Sequence, residues 1–412
     1  MTPRIKLGVV FSSLLFTLLL VVGAVLGRGE EKEGAYQPLS VYTQVLSRIK
    51  SDYVEDPDIG VVTRGAMQGL VEYLDPQSSY LTAEQYEELK KRASNPDGGS
   101  GLSSGMIVQK RGNYATVLSV LPGSPADGAG IRSGDLVEAV GGLSSRMMPP
   151  AYLQAVLSGK PGEPVELLVR SARQYDEPQE HALRRAKVEL PDVSYRMLDD
   201  KVGYVDLDVV DEERIKQTAK ALRQLTKQGA EKLVLDLRGN SIGKPAVGAA
   251  LADLFVSEGR LASLKGQRRS EEVFQATPAV ASDLPLVVLT DRPTSGAAEV
   301  AAAALLDLDR AQIAGERTYG LAAAQQTIEL EGGAALILSV AKYYRADGEA
   351  LHDSGVAPSL PIDPAELRRF RRLDGSDEEP PAEGSDEDPF LKKAFDFFAG
   401  EVEPVVEEAK AA

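Results

Sequence analysis

Residues 284–326 constrain the fold most, because they read as a strand, a turn and a helix in direct succession. The short apolar run 286–290 predicts a strand, and residues 291–294 predict a turn. The pattern then predicts a helix that opens near Ser295. A tight strand-to-helix turn is where many hydrolases display a nucleophile beside backbone N–H donors. Here the position expected to carry a hydroxyl holds Gly296.

Composition excludes several kinds of site. The chain has 412 residues, which predicts two or three domains. Its net charge of −16 argues against nucleic acid, because there is no basic excess to neutralise phosphates. Cysteine is absent, which excludes disulfides, thiol catalysis and Cys-ligated metals. Only His181 and His352 are present, which argues against a Ser-His-Asp triad or a multi-His metal site. We therefore expect no metal and no cofactor.

The segment 1–30 predicts a membrane anchor or a signal sequence. Arg4 and Lys6 precede an uncharged apolar run, 7–27, that is long enough to cross a bilayer as a helix. The basic flank predicts that the N-terminus lies in the cytoplasm and that the rest of the chain lies on the periplasmic side. A signal peptide cleaved near Ala24 is the alternative.

The next residues predict a helical region and a linker. Apolar residues recur at helical spacing over 35–95. Within this region Thr82 and Gln85 predict a capping box at a helix start. The Gly/Ser-rich residues 94–104 predict a linker or loop.

Later parts of the chain predict an α/β core and an acidic tail. Strands and helices alternate up to about residue 345. From Gly375 the residues are mainly Ser, Asp, Glu and Pro, which predicts disorder, with a short amphipathic helix as an alternative at 390–398. After segment 1–30 the predicted organisation is a helical region at 35–95, a strand-rich unit at 98–190, an α/β core at 191–365 and an acidic, mostly disordered tail at 366–412.

The strand-rich unit resembles a PDZ domain. The resemblance rests on three short motifs, which are Ser124-Pro125-Ala126, Ala129-Gly130, and Gly134-Asp135 with Val137. It implies that an extended peptide pairs with a strand edge while its C-terminal carboxylate meets a nest of backbone N–H groups. An occluded groove is the alternative. The implied peptide-binding residues are Gly101, Leu102, Ser103, Ser104, Gly105, Met106 and Ile107.

The order of parts resembles the C-terminal processing peptidases, also called tail-specific proteases. The landmarks are Asp75-Pro76 with residues 78–81, the PDZ motifs, and residues 235–238, 294–299, 315–320 and 341–344. The resemblance implies an α/β fold: a crotonase-like (ββα) protease core with an inserted PDZ domain and an N-terminal helical region. It also implies serine-type proteolysis, in which a neutral, desolvated lysine takes the proton of the attacking serine.

Two positions depart from the family pattern. The resemblance places the nucleophile at Gly296 and the base at Leu321, and these positions lie 25 apart, which is the spacing the family uses. Gln325 matches the glutamine that supports the lysine. Gly243 and Ala297 match the oxyanion donors. Neither glycine nor leucine can supply the chemistry that the family needs.

We therefore expect a catalytically inactive homologue that binds protein C-terminal tails or unfolded polypeptides through its PDZ domain in the periplasm. An active paralogue and the inner membrane are further expected partners. One alternative is an active endopeptidase with a non-standard catalytic set, in which Ser295 attacks and Lys244 is the nearest candidate base. A scaffold that binds no peptide is the other.

Overall fold

The computed structural model describes residues 36–93, 102–110, 114–173, 177–371, 381, 383–385 and 387–405. The chain divides into two units, one ending at Ala66 and the other beginning at Met67. The predicted membrane segment 1–30 and the predicted peptide-binding residue Gly101 lie outside the described residues. Within them, no helix is both long and apolar enough to cross a bilayer.

Ten α-helices and seventeen strands are described. The helices are α1 (Tyr36–Asp52), α2 (Ile59–Glu72), α3 (Ala83–Ala93), α4 (Pro125–Gly128), α5 (Pro150–Leu157), α6 (Glu212–Lys227), α7 (Pro245–Ala252), α8 (Ala297–Asp307), α9 (Pro364–Phe370) and α10 (Pro389–Ala399). The strands are β1 (Ser79–Leu81), β2 (Met106–Lys110), β3 (Ala115–Val120), β4 (Leu136–Val140), β5 (Leu143–Ser144), β6 (Pro164–Arg170), β7 (Gln179–Arg184), β8 (Ser194–Met197), β9 (Val202–Asp206), β10 (Lys232–Asp236), β11 (Arg260–Gly266), β12 (Arg269–Gln275), β13 (Leu286–Thr290), β14 (Ala311–Gly315), β15 (Ala323–Glu329), β16 (Ala335–Tyr344) and β17 (Leu360–Pro361).

A six-stranded sheet in the order β17-β14-β13-β10-β9-β8 forms the centre of the second unit. Its neighbours pair in parallel except β8, which runs antiparallel to β9. Side chains alternate between the two faces of a strand, so each face of this sheet needs its own cover. Leu233 and Leu235 of β10 pack on the side of α6, α7 and α8. Val234 packs on the side of α9 and α10.

The helix α8 is buried all round. Every residue from Ala297 to Leu305 is buried. A helix that is apolar on all sides belongs in a core rather than at a surface. The sequence expectation of a buried strand followed by a turn and a helix is confirmed here, with the helix beginning at Ala297 and Gly296 as its N-cap.

Two antiparallel sheets flank this centre. One has the order β1-β16-β11-β12, with β15 also paired to β16. The other has the order β2-β3-β4-β6-β7, with β5 on β4, and it holds the predicted PDZ unit. Leu153 and Leu157 of α5 are fully buried in the core of this second sheet.

The predicted helical region 35–95 also contains a strand. The capping box is confirmed, since Thr82 N–H donates to Gln85 Oε1 at 3.1 Å and Gln85 N–H donates to Thr82 Oγ1 at 3.3 Å. Just before it, β1 pairs with β16, with Leu81 opposite Ala335 and no longer exposed to solvent. Three residues are too few for a periodic pattern, so the sequence did not reveal this strand.

The short helix offered as an alternative at 390–398 within the acidic tail is present as α10, Pro389–Ala399. Phe390 and Leu391 are buried on the central sheet. Asp388 caps α10 by accepting the Phe390 N–H at 2.9 Å, and its other oxygen lies 2.9 Å from Arg238 Nη2 in a buried ion pair. The apolar face of this amphipathic helix therefore has a partner in the core, which the acidic composition around residue 380 did not predict.

Candidate active site

The turn before α8 is held by one buried carboxylate. Asp291 Oδ1 accepts the N–H of Thr294 at 3.1 Å and the N–H of Gly239 at 2.9 Å. The hydroxyl of Thr294 lies 2.9 Å from the carbonyl oxygen of Leu237. Tyr319 N–H donates to the Thr294 carbonyl at 2.9 Å. The turn is thereby tied both to the loop after β10 and to the loop before β15.

Gly296 adopts the backbone of a strained nucleophile turn. Its φ is 63° and its ψ is −116°, a conformation that costs a side-chain-bearing residue free energy and costs glycine little. A Cβ added at Gly296 would lie 3.3 Å from the carbonyl oxygen of Gly243 and 4.0 Å from that of Leu321. A side chain at position 296 would therefore point into the gap between those two loops.

Glu299 joins the start of α8 to the loop that carries Leu321. Its carboxylate is completely buried and accepts the N–H of Gly320 at 2.6 Å and that of Leu321 at 2.9 Å. It also accepts the hydroxyl of Thr318 and the N–H of Gly296. The last bond is the reach of an N3 glutamate back to the N-cap. One side chain therefore fixes positions 296 and 321 relative to each other.

This carboxyl group titrates near neutrality. Burial raises the pKa of Glu299 to about 7, while the hydrogen bonds from Thr318, Gly320, Leu321 and Gly296 lower it. Burial disfavours the charged form, and four donors to two oxygens favour it. In the sequence Glu299 stands out only as the last residue of the landmark 294–299, although a glutamate three residues after an N-cap is a recognisable capping pattern.

Leu321 lies in an apolar cluster. It is buried together with Tyr319 and Leu118, and Ile107 packs against them. The position predicted for a base thus holds a side chain that contacts hydrocarbon and has no group that exchanges protons.

The two predicted oxyanion residues lie side by side. A Cβ added at Gly243 would lie 3.0 Å from the Cβ of Ala297 and 2.2 Å from the carbonyl oxygen of Val210. Gly243 also has φ at 142°, so both space and backbone demand glycine there. Ala297 is the first residue of α8, where a backbone N–H has no acceptor within the helix.

The alternative catalytic residues are poorly placed for chemistry. Ser295 is 2% exposed and its N–H donates to the Asn240 carbonyl at 2.9 Å. Lys244 is exposed at the N-cap of α7. Lys342 on β16 lies 3.4 Å from Asp353 Oδ2, in a half-exposed ion pair. Neither lysine has the buried, unpaired ammonium that a lysine base requires.

Gln325 is exposed on β15, where its Nε2 donates to the carbonyl oxygen of Gln77 at 2.8 Å. In the structure, then, this glutamine tethers the loop before β1. The residue predicted to support a lysine is engaged with backbone instead.

His352 was not singled out for a role from the sequence and lies in a buried polar cluster. Its Nε2 is 3.9 Å from Asp75 Oδ1, and burial lowers the pKa of His352. Ser78 and Ser339 donate their hydroxyls to Asp75 at 2.6 and 3.1 Å. Because both hydroxyls bond the carboxylate rather than the imidazole, the cluster does not have the geometry of a Ser-His-Asp triad.

The predicted peptide-binding residues from Leu102 to Ile107 form a tight loop and the start of β2. Gly105 N–H donates to the Leu102 carbonyl at 2.7 Å, and the Gly105 carbonyl accepts the Leu121 N–H at 2.7 Å. A Cβ at Gly105 would lie 1.9 Å from Ser124 Cβ, so only glycine fits. Met106 points into the core of the sheet, and Ile107 points to the opposite side, toward Leu321.

Comparison with known proteins identifies the family. The model of peptidase family S41 matches residues 201–362, and a PDZ domain model matches 116–171. The carboxy-terminal processing protease CtpA of Bacillus subtilis is 30% identical over 332 residues, which is 80% of this chain and 69% of that protein. A carboxyl-terminal-processing protease of Picosynechococcus is 33% identical over 302 residues, or 71% of this chain and 70% of that protein. This chain belongs to the C-terminal processing peptidase family.

Solved structures agree with this family assignment. The photosystem II D1 C-terminal processing protease has a TM-score of 0.63 and 26% identity, and the match covers 83% of this chain and 98% of that one. The predicted mixed α/β fold with a PDZ domain and N-terminal helices is therefore confirmed.

In this family member the PDZ domain packs directly on the strand-helix junction. Leu118 of β3 contributes to the same apolar cluster as Leu321. Ser119 Oγ lies 2.5 Å from Ser241 Oγ in the loop that leads to Gly243. A second cluster joins Leu121 of the PDZ domain to Val209, with Ile242 packed against it. The gap at position 296 is thus bordered by the PDZ domain as well as by the core.

Proposed function

We propose that this chain is a catalytically inactive C-terminal processing peptidase homologue that binds protein C-termini through its PDZ domain. The observation that carries the proposal is the pair Gly296 and Leu321. A turn with the backbone of a nucleophile elbow holds a residue without a side chain, and the facing loop holds a hydrocarbon.

The geometry supports the assignment of these two positions. A Cβ at Gly296 points toward the loops of Gly243 and Leu321, and Glu299 bonds the amides of both 296 and 321. A serine at position 296 would point toward the backbone of the loop that carries position 321, where the family has its lysine. The lysine would sit among apolar side chains, where desolvation favours the neutral form that a base needs.

Without these side chains little catalysis remains. Loss of the nucleophile and its base leaves at best oxyanion and binding effects, on the order of 10³–10⁴ over water. Neither Lys244 nor Lys342 provides a desolvated amine to activate Ser295. We therefore propose binding rather than turnover as the function.

The PDZ domain supports binding of C-termini. A PDZ edge strand takes an extended peptide by main-chain hydrogen bonds and fixes its terminal carboxylate with backbone N–H groups. The relatives are named for processing carboxyl termini. In this proposal the bound partners are C-terminal tails or unfolded polypeptides, and an active paralogue is a further partner.

Localisation on the periplasmic side of the cytoplasmic membrane is part of the proposal. Its support is the apolar run at residues 7–27 with Arg4 and Lys6 before it. In this arrangement the anchor would keep captured tails at the membrane surface, and cleavage of the segment would release the protein into the periplasm.

The proposal is tested with the full chain in detergent. Labelled ten-residue peptides with a free C-terminal carboxylate should bind by fluorescence anisotropy, and the same peptides with an amidated terminus should bind at least about tenfold more weakly, because a charge-assisted contact is lost. Incubation with unfolded casein should release no fragments by mass spectrometry.

Two results would contradict the proposal. Failure of every carboxylate-bearing peptide to bind would favour a scaffold without peptide recognition. Fragments from casein that disappear in Ser295→Ala would establish an active endopeptidase with a non-standard catalytic set.

A further inference from the structure

The peptide-binding edge of the PDZ domain is the outer side of β2. In the described part of the chain β2 pairs with β3 alone, which leaves its other side facing α5. An added peptide strand would have to take the backbone groups on that side. Those groups are the ones that decide whether the groove is open.

They are already bonded by one side chain. Gln154 of α5 donates from Nε2 to the carbonyl oxygen of Met106 at 3.2 Å. Its Oε1 accepts the N–H of Val108 at 3.2 Å. A glutamine amide offers the same donor and acceptor as a peptide group. It therefore occupies the outer side of β2 as part of a peptide ligand would.

Buried side chains anchor β2 and α5 around this contact, whereas the Gln154 side chain is only partly buried. Met106 and Val108 are buried at 0% and 4% exposure, which anchors β2. Leu153 and Leu157 are fully buried, which anchors α5 on both sides of Gln154. Gln154 is only partly buried and rotates about three bonds.

We propose that Gln154 is an internal competitor that closes the peptide-binding edge, so that a protein C-terminus binds only after this side chain has swung away. The inference rests on the proposed function, since it concerns the same groove. Without a ligand, departure of Gln154 would leave the Met106 carbonyl and the Val108 N–H without partners, which is costly. With a ligand, the peptide backbone replaces both bonds.

The competition lowers affinity for every tail by a similar factor. A ligand must displace Gln154 before its own strand can pair with β2. The apparent affinity is therefore reduced in proportion to the fraction of molecules whose groove is open. The ligand is an extended peptide with a free C-terminal carboxylate. The free-energy cost of displacing Gln154 does not depend on the side chains of that peptide. Removing the Gln154 amide should therefore raise the affinity for every peptide in a series without changing the rank order of the affinities.

The test uses Gln154→Leu, which keeps volume and removes both hydrogen bonds. The probe is a set of labelled ten-residue peptides with free carboxylates and different last three residues, titrated against the full chain. We expect affinity to rise about tenfold, or about 1.4 kcal/mol, for every peptide that binds. Gln179→Leu makes the same change at an exposed position on β7, at the other edge of the sheet, and should leave affinity unchanged.

A second readout does not depend on peptides. In the ligand-free chain, hydrogen exchange at the Val108 amide should be faster in Gln154→Leu than in the wild type, and peptide should restore protection. Gln154→Ala serves as the second variant and should behave alike.

The outcomes separate the inference from the proposed function. Equal affinity of wild type and both Gln154 variants would overturn the inference and leave the proposed function standing. Weaker binding by the variants would also overturn it, because Gln154 would then be a ligand contact. Absence of binding in wild type and variants alike would overturn the proposed function together with the inference.

Discussion

The strand-helix junction at Gly296 differs from the family pattern in its amino acids, whereas the peptide edge at Met106–Val108 is covered by a side chain. At the junction Glu299, Gly243 and the turn conformation are present, while positions 296 and 321 hold glycine and leucine. At the edge every bonding group is present, and one side chain occupies them.

The difference is between amino-acid identity at the junction and side-chain conformation at the edge. Under the proposed function, the junction would regain chemistry only through changes of amino acid at positions 296 and 321. The edge opens when one glutamine rotates, at a cost comparable to two hydrogen bonds of about 0.5–1.5 kcal/mol each. An intact peptide edge beside a junction with glycine at 296 and leucine at 321 is consistent with the proposed function, which is binding without turnover.

The largest effect is expected where the junction is held together. Glu299→Leu leaves the buried amides of Gly296, Gly320 and Leu321 and the Thr318 hydroxyl without their acceptor, so we expect the free energy of unfolding to fall by about 4 kcal/mol. Denaturant titration measures the change.

The matched control is Glu213→Leu in the first turn of α6, where the side chain is exposed and the change should stay within about 0.5 kcal/mol. An equally small effect at Glu299 would mean that the junction is not held by this carboxylate.

A smaller effect is expected from pH. The pKa of Glu299 is raised by burial to about 7, so the folded state keeps a proton that the unfolded chain releases near pH 4.5. The free energy of unfolding should therefore fall as pH rises from about 4.5 to 7, by about 3 kcal/mol from this group.

Glu299→Gln should flatten that part of the stability profile, as measured by denaturant titrations at a series of pH values. Glu213→Gln, which changes an exposed glutamate, should keep the wild-type slope. An unchanged slope in Glu299→Gln would show that the buried carboxyl does not titrate in this window.

Much of the junction could be predicted from local sequence. The apolar run of β13 follows from a short pattern, whereas the assignment of Gly296 and Leu321 as the nucleophile and base positions follows from the family resemblance. The capping box at Thr82 and Gln85 is equally local, because its partners lie three residues apart.

Contacts between residues far apart along the chain could not be predicted from the sequence. Gln154 bonds a strand 46 and 48 residues earlier, and Asp388 reaches Arg238 from beyond an acidic segment. Local spacing does not identify either partner, because many polar groups on exposed faces could make such bonds. Only tertiary packing brings the actual partners together. The placement of Leu118 against Leu321 is of the same kind.

We propose that the junction keeps its backbone geometry and its supporting residues and lacks only the nucleophile and the base. The direct measurement compares release of casein fragments by the wild type, Gly296→Ser, Leu321→Lys and the double variant. We predict fragments from the double variant only. Fragments from the wild type, or none from a folded double variant, would contradict the claim.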